Sequence, residues 1–184
     1  VKLLFSREDD IKGGWYRPMA AQKVKIGLDK SGEIVAWDHR VAVKSIAKGG
    51  PFESVLVKDG IDHFNVENIS DTLYDIPNLA VGNSDFKSPI PVLWWRAVGH
   101  TQNVLAMESL IDMVAHSASR DPVELRLSLL QNGSPQQKRF ANVIRTARDM
   151  SGWKLGQKRG FASSYTFRSF LAVVADVTVI GDKV

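Results

Sequence analysis

The residues with most to offer chemically lie in one stretch, Trp94-Trp95-Arg96-Ala97-Val98-Gly99-His100-Thr101-Gln102-Asn103. Two tryptophans, an arginine and a glycine lead into a helix that the apolar spacing predicts over Asn103 to about Ser117. A helix start carries unsatisfied N–H groups and partial positive charge, so it suits an anionic or oxo-bearing ligand. Arg96 adds a fixed cation with planar donors. The competing reading is a tight loop whose tryptophans belong to the core. Elsewhere the chemistry is thinner. The chain has no cysteine, which excludes disulfides, thiolate ligands and a thiol nucleophile. His39, His63, His100 and His116 lack metal-ligand spacing. There is no glycine-rich phosphate loop and no Gly-x-Ser-x-Gly elbow. Glu8, Asp9 and Asp10 are adjacent and do not share a helix face, so they read as a helix start. Glu108 fits either a buried acid or a surface residue. The residues alone therefore give a candidate anion site at Arg96 and no catalytic pair.

The elements that must position this stretch can be read from patterning. Val24–Leu28 and Ile34–Val43 are β-prone runs joined by Asp29-Lys30-Ser31-Gly32, a hairpin signal, with Val1–Phe5 as a neighbouring strand. Ser6 opens a short helix with acids in its first turn. Residues 44–72 are polar and weakly periodic, which predicts a surface insertion with a helical piece near Phe52–Asp59. Tyr74–Val81 reads as a turn entering a strand, and Pro89 and Pro91 break the chain ahead of the loop. Val104, Met107, Ile111 and Val114, with Leu110 beside them, form the apolar face of the following helix. Asp121-Pro122-Val123-Glu124 and Ser134-Pro135-Gln136-Gln137 each start a further helix. The second of these buries Phe140, Val143, Ile144 and Ala147. A loop at Ser163-Ser164-Tyr165 then precedes a long strand whose alternating face is Val173, Ala175, Val177 and Val179. Strands, then helices, then strand predict an α+β fold of mixed β-sheet hairpins packed with about three helices. A division near 132–135 separates residues 1–132 from 133–184.

Composition sets wider bounds. The chain has 44% hydrophobic and 24% charged residues, ordinary for a soluble globular protein, and no apolar run long enough for a membrane span. Residues 136–160 hold seven basic side chains against Asp149 alone, leaving the remainder slightly acidic. Such a segment could meet nucleic acid or an acidic partner, but no aromatic residues interleave for base stacking, so nucleic-acid binding is not expected. A solvated helix face explains it more simply. The chain opens on Val1 and closes on Ile180-Gly181-Asp182-Lys183-Val184, which reads as half of a hairpin, so we expect an internal piece of a longer polypeptide.

Several segments, taken in order, resemble one family. Leu3-Leu4-Phe5-Ser6-Arg7-Glu8-Asp9-Asp10 followed by Tyr16-Arg17-Pro18 is similar to the "SREDD…RP" stretch of the molybdopterin-binding subunit of molybdenum hydroxylases, the xanthine dehydrogenase/aldehyde oxidase family. Tyr74-Asp75-Ile76-Pro77-Asn78 resembles its "Y-x-I-P-N" turn. Trp95 to Asn103, with Glu108-Ser109 beyond, resembles its "FRGxG…Q" cofactor loop, in a form most like the isoquinoline 1-oxidoreductase β subunit. Asp121-Pro122-Val123-Glu124-Leu125-Arg126 resembles its "DPxEfR" helix start.

The resemblance implies a subunit that binds molybdenum through a molybdopterin, in bacteria often the cytosine dinucleotide form. In that family water supplies an oxygen inserted at an electron-poor carbon, a glutamate serves as base, and electrons leave through an iron–sulfur small subunit. The implied substrate is a small heteroaromatic compound or an aldehyde. Arg96, Ala97, Gly99 and Gln102 would face the cofactor. Trp95, Val98, Ser163 and Ser164 would line the substrate pocket, with Val98 at a position often aromatic in relatives. No protein side chain is implied as a metal ligand. The glycine-rich "Q…GGxFG" segment and the "G-x-G-E" segment bearing the base are both absent from the sequence. The resemblance therefore implies no catalytic residue here and no turnover by these 184 residues alone. Bacterial cytoplasm and periplasm are both open. A non-catalytic interaction module using the basic helix 136–150 is the alternative reading.

Overall fold

The hairpin turn shows how local chemistry starts the fold. In the computed structural model, which describes residues 1–181, Asp29 Oδ1 accepts from the Ser31 N–H at 2.8 Å and the Glu33 N–H at 2.9 Å. Gly32, at φ 82°, completes the turn, where a Cβ would meet Ala118 Cβ at 2.8 Å. The turn joins β1 (Ala20–Leu28) to β2 (Ile34–Val43) in antiparallel register, Val24 opposite His39. Alternation along β2 buries Trp37, His39, Val41 and Val43 on one face. The short helix α1 (Arg7–Gly13) opens with a Ser6–Asp9 capping box.

Residues 44–78 form the crossover that a parallel strand requires. They hold α2 (Glu53–Leu56), a two-stranded ribbon of β3 (Val57–Lys58) and β4 (Ile61–Asp62), and α3 (His63–Val66). β5 (Leu79–Asp85) then lies parallel to β2, giving the order β1-β2-β5. Asn78 sits at φ 49° and its side chain donates to Val35 O at 2.9 Å, so an asparagine that tolerates the left-handed region seats the new strand.

Three helices and a hairpin close the core. These are α4 (His100–Ser117), α5 (Pro122–Ser128), α6 (Pro135–Ser151), β6 (Arg159–Thr166) and β7 (Ser169–Asp176). Asp121 caps α5 by accepting from the Val123 N–H at 2.7 Å, and Ser134 with Gln137 makes a capping box for α6. Met107, Ile111, Val123, Leu125, Phe140, Ile144 and Phe161 join Trp37, Val41 and Ile69 in one contiguous cluster. No helix among the described residues is long and apolar enough to cross a membrane. The architecture is α+β, as the order of elements predicts.

Four expectations are corrected. Val1–Phe5 is not a strand; it is exposed chain without regular structure. Residues 44–72 are not a surface insertion, since Asp62, Asn65, Glu67 and Ile69 are all buried. Their polarity misleads because it serves buried backbone: Asp62 Oδ2, for example, accepts from the Ser45 hydroxyl at 2.5 Å and the Ala47 N–H at 3.2 Å. Ser163-Ser164-Tyr165 is not a loop but lies in β6, because Phe167 and Arg168 make a tight turn at φ 47° and 64° without glycine or asparagine. In β7 the inward face is Phe170, Ala172 and Val174, whereas Val173 is 58% exposed. Part of the closing hairpin half, Asp182-Lys183-Val184, lies outside the described residues.

The most demanding part of the core is ionic. Arg126 is fully buried, and its guanidinium donates to Glu108 Oε2 at 2.9 Å, Asp112 Oδ1 at 2.7 Å and Phe161 O at 3.3 Å. Glu108 also accepts from the Tyr74 hydroxyl at 2.9 Å and the Ser163 N–H at 2.6 Å. Burial opposes the charge on Arg126, but Glu108 and Asp112 hold its pKa above the ordinary value. Burial and the Glu108 charge push the Tyr74 phenol well above its usual value, so it stays a donor. Replacing Arg126 by Met leaves Glu108 buried without its cation, and we predict a loss of about 3–5 kcal/mol in urea unfolding. Arg126→Met with Glu108→Gln should recover part of that loss; no recovery in the double variant would show that packing, not charge, dominates there.

Candidate functional site

The Trp94–Gln102 segment links the end of the proline-broken stretch to α4. Trp94 leans edge-on against Phe52 and Phe64, with ring centroids 5.8 and 6.3 Å apart. Trp95 is 54% exposed, so the tryptophans of this loop are not core; that place belongs to Trp37. Ala97 and Val98 follow at φ 66° and 43°, unusual for residues with a Cβ, and Val98 N–H closes the turn on Trp95 O at 2.9 Å. A Cβ on Gly99 would lie 1.8 Å from Phe64 O, so the close approach this glycine permits is to its own chain.

The helix begins at His100, one turn earlier than the apolar pattern indicates, without a side-chain cap from the preceding residue. Instead the buried Glu67 carboxylate accepts from the His100 N–H at 3.1 Å, where the helix dipole favours a negative charge. Its Oε1 also lies 3.0 Å from His100 Nδ1, poorly aligned with the ring N–H direction. Asn103 Nδ2 donates to Asn65 O at 3.2 Å and Glu67 O at 2.9 Å, fixing α4 on the crossover. The N–H groups of Arg96, Ala97, Thr101 and Gln102 have no acceptor among the described residues. The Arg96 side chain is exposed and makes no ion pair or hydrogen bond among them.

The sheet holds the same helix start from the other side. Trp37 Nε1 donates to His39 Nδ1 at 3.2 Å, which leaves His39 Nε2 as the donor to Gln22 Oε1 at 2.6 Å. Gln22 Nε2 then donates to Gln102 O and Asn103 Oδ1, each at 3.1 Å. Arg17 completes the hold, donating to Val98 O at 3.1 Å, Thr101 Oγ1 at 2.7 Å and Arg96 O at 2.9 Å. Gln22 and Arg17 were not among the expected site residues. Arg17 lies in a segment marked only by the "RP" resemblance, and Gln22 is an unremarked polar position in a strand.

Seven of the eight expected site residues fall into two groups, and Arg96 lines neither cavity. Trp95, Val98, Gly99 and Gln102 share a narrow cleft with Arg17 and Phe64. Ala97, Ser163 and Ser164 border a separate open groove of about 360 Å³ beside His100, Thr101 and Leu171. The start of α4 lies between the two, so the four expected substrate residues do not line one pocket. Ser163 is also engaged with Glu108 and Tyr74. In the cleft, the Gln102 Oε1 is buried and has no partner among the described residues. Among the described residues, no three His, Asp or Glu side chains gather where they could hold a metal ion.

Comparison with known proteins gives this geometry its context. Residues 1–130 match the molybdopterin cofactor-binding domain family, and the chain belongs to that family. It is 31% identical to the isoquinoline 1-oxidoreductase subunit beta of Brevundimonas diminuta over 96% of this chain and 23% of that protein. It is 26% identical to an aldehyde oxidoreductase molybdenum-binding subunit of Escherichia coli over 84% of this chain and 20% of that protein. The fold matches the aldehyde oxidoreductase of Desulfovibrio gigas with a TM-score of 0.60 at 19% identity, covering 87% of this chain and 19% of the other. It also matches quinoline 2-oxidoreductase from Pseudomonas putida 86, with a TM-score of 0.59 at 18% identity over 81% of this chain and 20% of the other. The chain therefore spans about a fifth to a quarter of the length of these relatives.

The histidine in the relay has a testable titration. Burial lowers the pKa of His39 from 6.5 to about 4, with the Asp38 charge opposing. The unfolded chain thus binds a proton that the folded chain refuses between those values, and stability is lost as pH falls from about 6.5 towards 4. We predict a loss of up to about 3 kcal/mol across that window, read by denaturant unfolding at stepped pH. His39→Gln should flatten the slope; an unchanged slope would place the titrating group elsewhere.

Proposed function

We propose that this chain forms one wall of the molybdopterin site in the catalytic subunit of a molybdenum hydroxylase. Within the whole protein it would serve water-derived hydroxylation of an N-heterocycle or an aldehyde. The observation that carries this reading is the start of α4. Among the described residues the N–H groups of Arg96, Ala97, Thr101 and Gln102, the exposed Arg96 guanidinium and the buried Gln102 Oε1 have no partner, and all lie within the segment matched by the cofactor-binding family. That donor set suits an oxygen-rich anionic group, and the Gln102 oxygen suits a ring N–H. A molybdopterin presents both. When bound, the cofactor supplies the redox and oxygen-transfer chemistry.

The chain's own part is to bind and orient. Arg96 and the loop N–H groups, including those of Ala97 and Gly99, would hold the anionic side of the cofactor, and Gln102 its ring edge. Trp95 and Val98 would shape the approach to it, Val98 leaving room for a bulkier ring than an aromatic residue would. Ser163 and Ser164 would border the neighbouring groove. Residues 133–184 would be a linker helix and the start of a second molybdopterin-binding subdomain, a reading supported by the family match ending at residue 130. The cytosine dinucleotide form and an iron–sulfur small subunit as electron acceptor are the finer parts of the same proposal. The relatives are named as subunits, which supports a partner chain.

The interaction-module alternative gains nothing from the geometry of the basic segment. Arg148 pairs with Glu124 and Asp149, Arg159 pairs with Asp176, and Arg139 stacks over the Phe170 ring at 4.8 Å.

Arg96→Ala in the full-length protein tests the cofactor role. Because the side chain is exposed and unpaired, we expect the unfolding midpoint to move little while bound molybdenum falls several-fold. Full molybdenum retention in the variant would overturn the role assigned to Arg96.

A further inference from the structure

Arg17 stands far from the loop in sequence and against it in space. The Tyr16 N–H donates to Pro91 O at 3.1 Å and the Leu93 N–H to Tyr16 O at 3.1 Å, a parallel bridge between Tyr16 and Val92. That pairing sets the next side chain, Arg17, beside the turn. Its fork spans the carbonyls of Arg96 and Val98, on either side of Ala97, and reaches the Thr101 hydroxyl in the first turn of α4. The guanidinium is half-buried, and these three acceptors are its only partners among the described residues.

Ala97 and Val98 need such a fixture. Both lie in the left-handed region, at φ 66° and 43°, and a β-branched residue there is strained. Strained backbone of this kind persists only where its surroundings over-determine it. A planar fork reading two carbonyls and a hydroxyl does so from one side, and a lysine ammonium lacks that fixed spacing. With the Arg96 and Val98 carbonyls drawn to Arg17, the N–H groups of Arg96 and Ala97 are left without an acceptor among the described residues.

We propose that Arg17 is the positioning residue of the cofactor loop: it holds the Ala97–Val98 turn in its left-handed form and thereby sets the loop's donors for the ligand. The second half of this statement rests on the reading of the loop as a wall of the molybdopterin site.

The test uses the full-length protein with Arg17→Ala, Arg17→Lys and Thr101→Val, following hydrogen exchange in peptides covering residues 94–104 and bound molybdenum. In Arg17→Ala the bonded amides of Val98, His100 and Asn103 should exchange at least tenfold faster while β1 and β2 keep their protection. Molybdenum should fall several-fold. Arg17→Lys should restore little of either. Thr101→Val, which removes one of the three acceptors, should speed loop exchange but by less than Arg17→Ala does, and millimolar guanidinium chloride should return protection to Arg17→Ala. Unchanged exchange in Arg17→Ala overturns the clamp itself. Faster exchange with full molybdenum retention leaves the clamp standing and overturns the loop's part in the cofactor site. Should Arg17→Ala fail to fold, Arg17→Lys carries the same readouts, and loop exchange equal to the parent's would again overturn the clamp.

Discussion

The contact between Glu108 and Arg126 is the constraint on which the rest of the molecule depends. Two charges taken out of water are tolerable only with excellent geometry and every remaining lone pair and proton satisfied. That requirement draws in four parts of the chain at once. Glu108 comes from α4, Arg126 from α5, Tyr74 from the turn ahead of β5, and the Ser163 N–H from β6. No one of them can shift without leaving a buried group unpaired. The pair therefore fixes where α4 lies against the final hairpin, and so fixes one border of the groove at the helix start.

The start of α4 is held by different means. There the chain keeps two residues in an unfavourable backbone conformation, and the restraint comes from outside the loop. Arg17 grips the carbonyls, Gly99 lets the backbone sit on Phe64 O, and Glu67 neutralises the first helical N–H. Gln22 ties the same turn to the buried Trp37–His39 pair of the sheet. Every restraint acts from the protein side. Among the described residues the N–H groups of Arg96, Ala97, Thr101 and Gln102 are left without an acceptor.

Much of the fold was legible because local rules and tertiary structure agree. The Asp29–Gly32 turn, the Asp121-Pro122 and Ser134-Pro135 helix starts, and the Met107–Ile111–Val114 face all form where short-range chemistry places them. Where reading failed, polarity or a missing marker was the cause. Asp62, Asn65 and Glu67 look like surface residues but are buried to serve backbone groups. The Phe167-Arg168 turn carries none of the usual turn residues, so from sequence Ser163-Ser164-Tyr165 reads as a loop and the inward face of β7 reads reversed.

The Trp95–Gln102 loop was likewise visible from its residue types and from the ordered motifs around it, which name a family that the comparisons bear out. Sequence alone determined the α+β class, the helix starts, the family and the location of the loop, because each is written in neighbouring residues or in their order. Only the tertiary structure decided that Glu108 is buried, that Trp95 and Ser163 border different cavities, and that Arg17 and Gln22 hold the loop. Those are contacts between residues distant in the chain. Their energies depend on burial and on angles that spacing along a sequence does not encode.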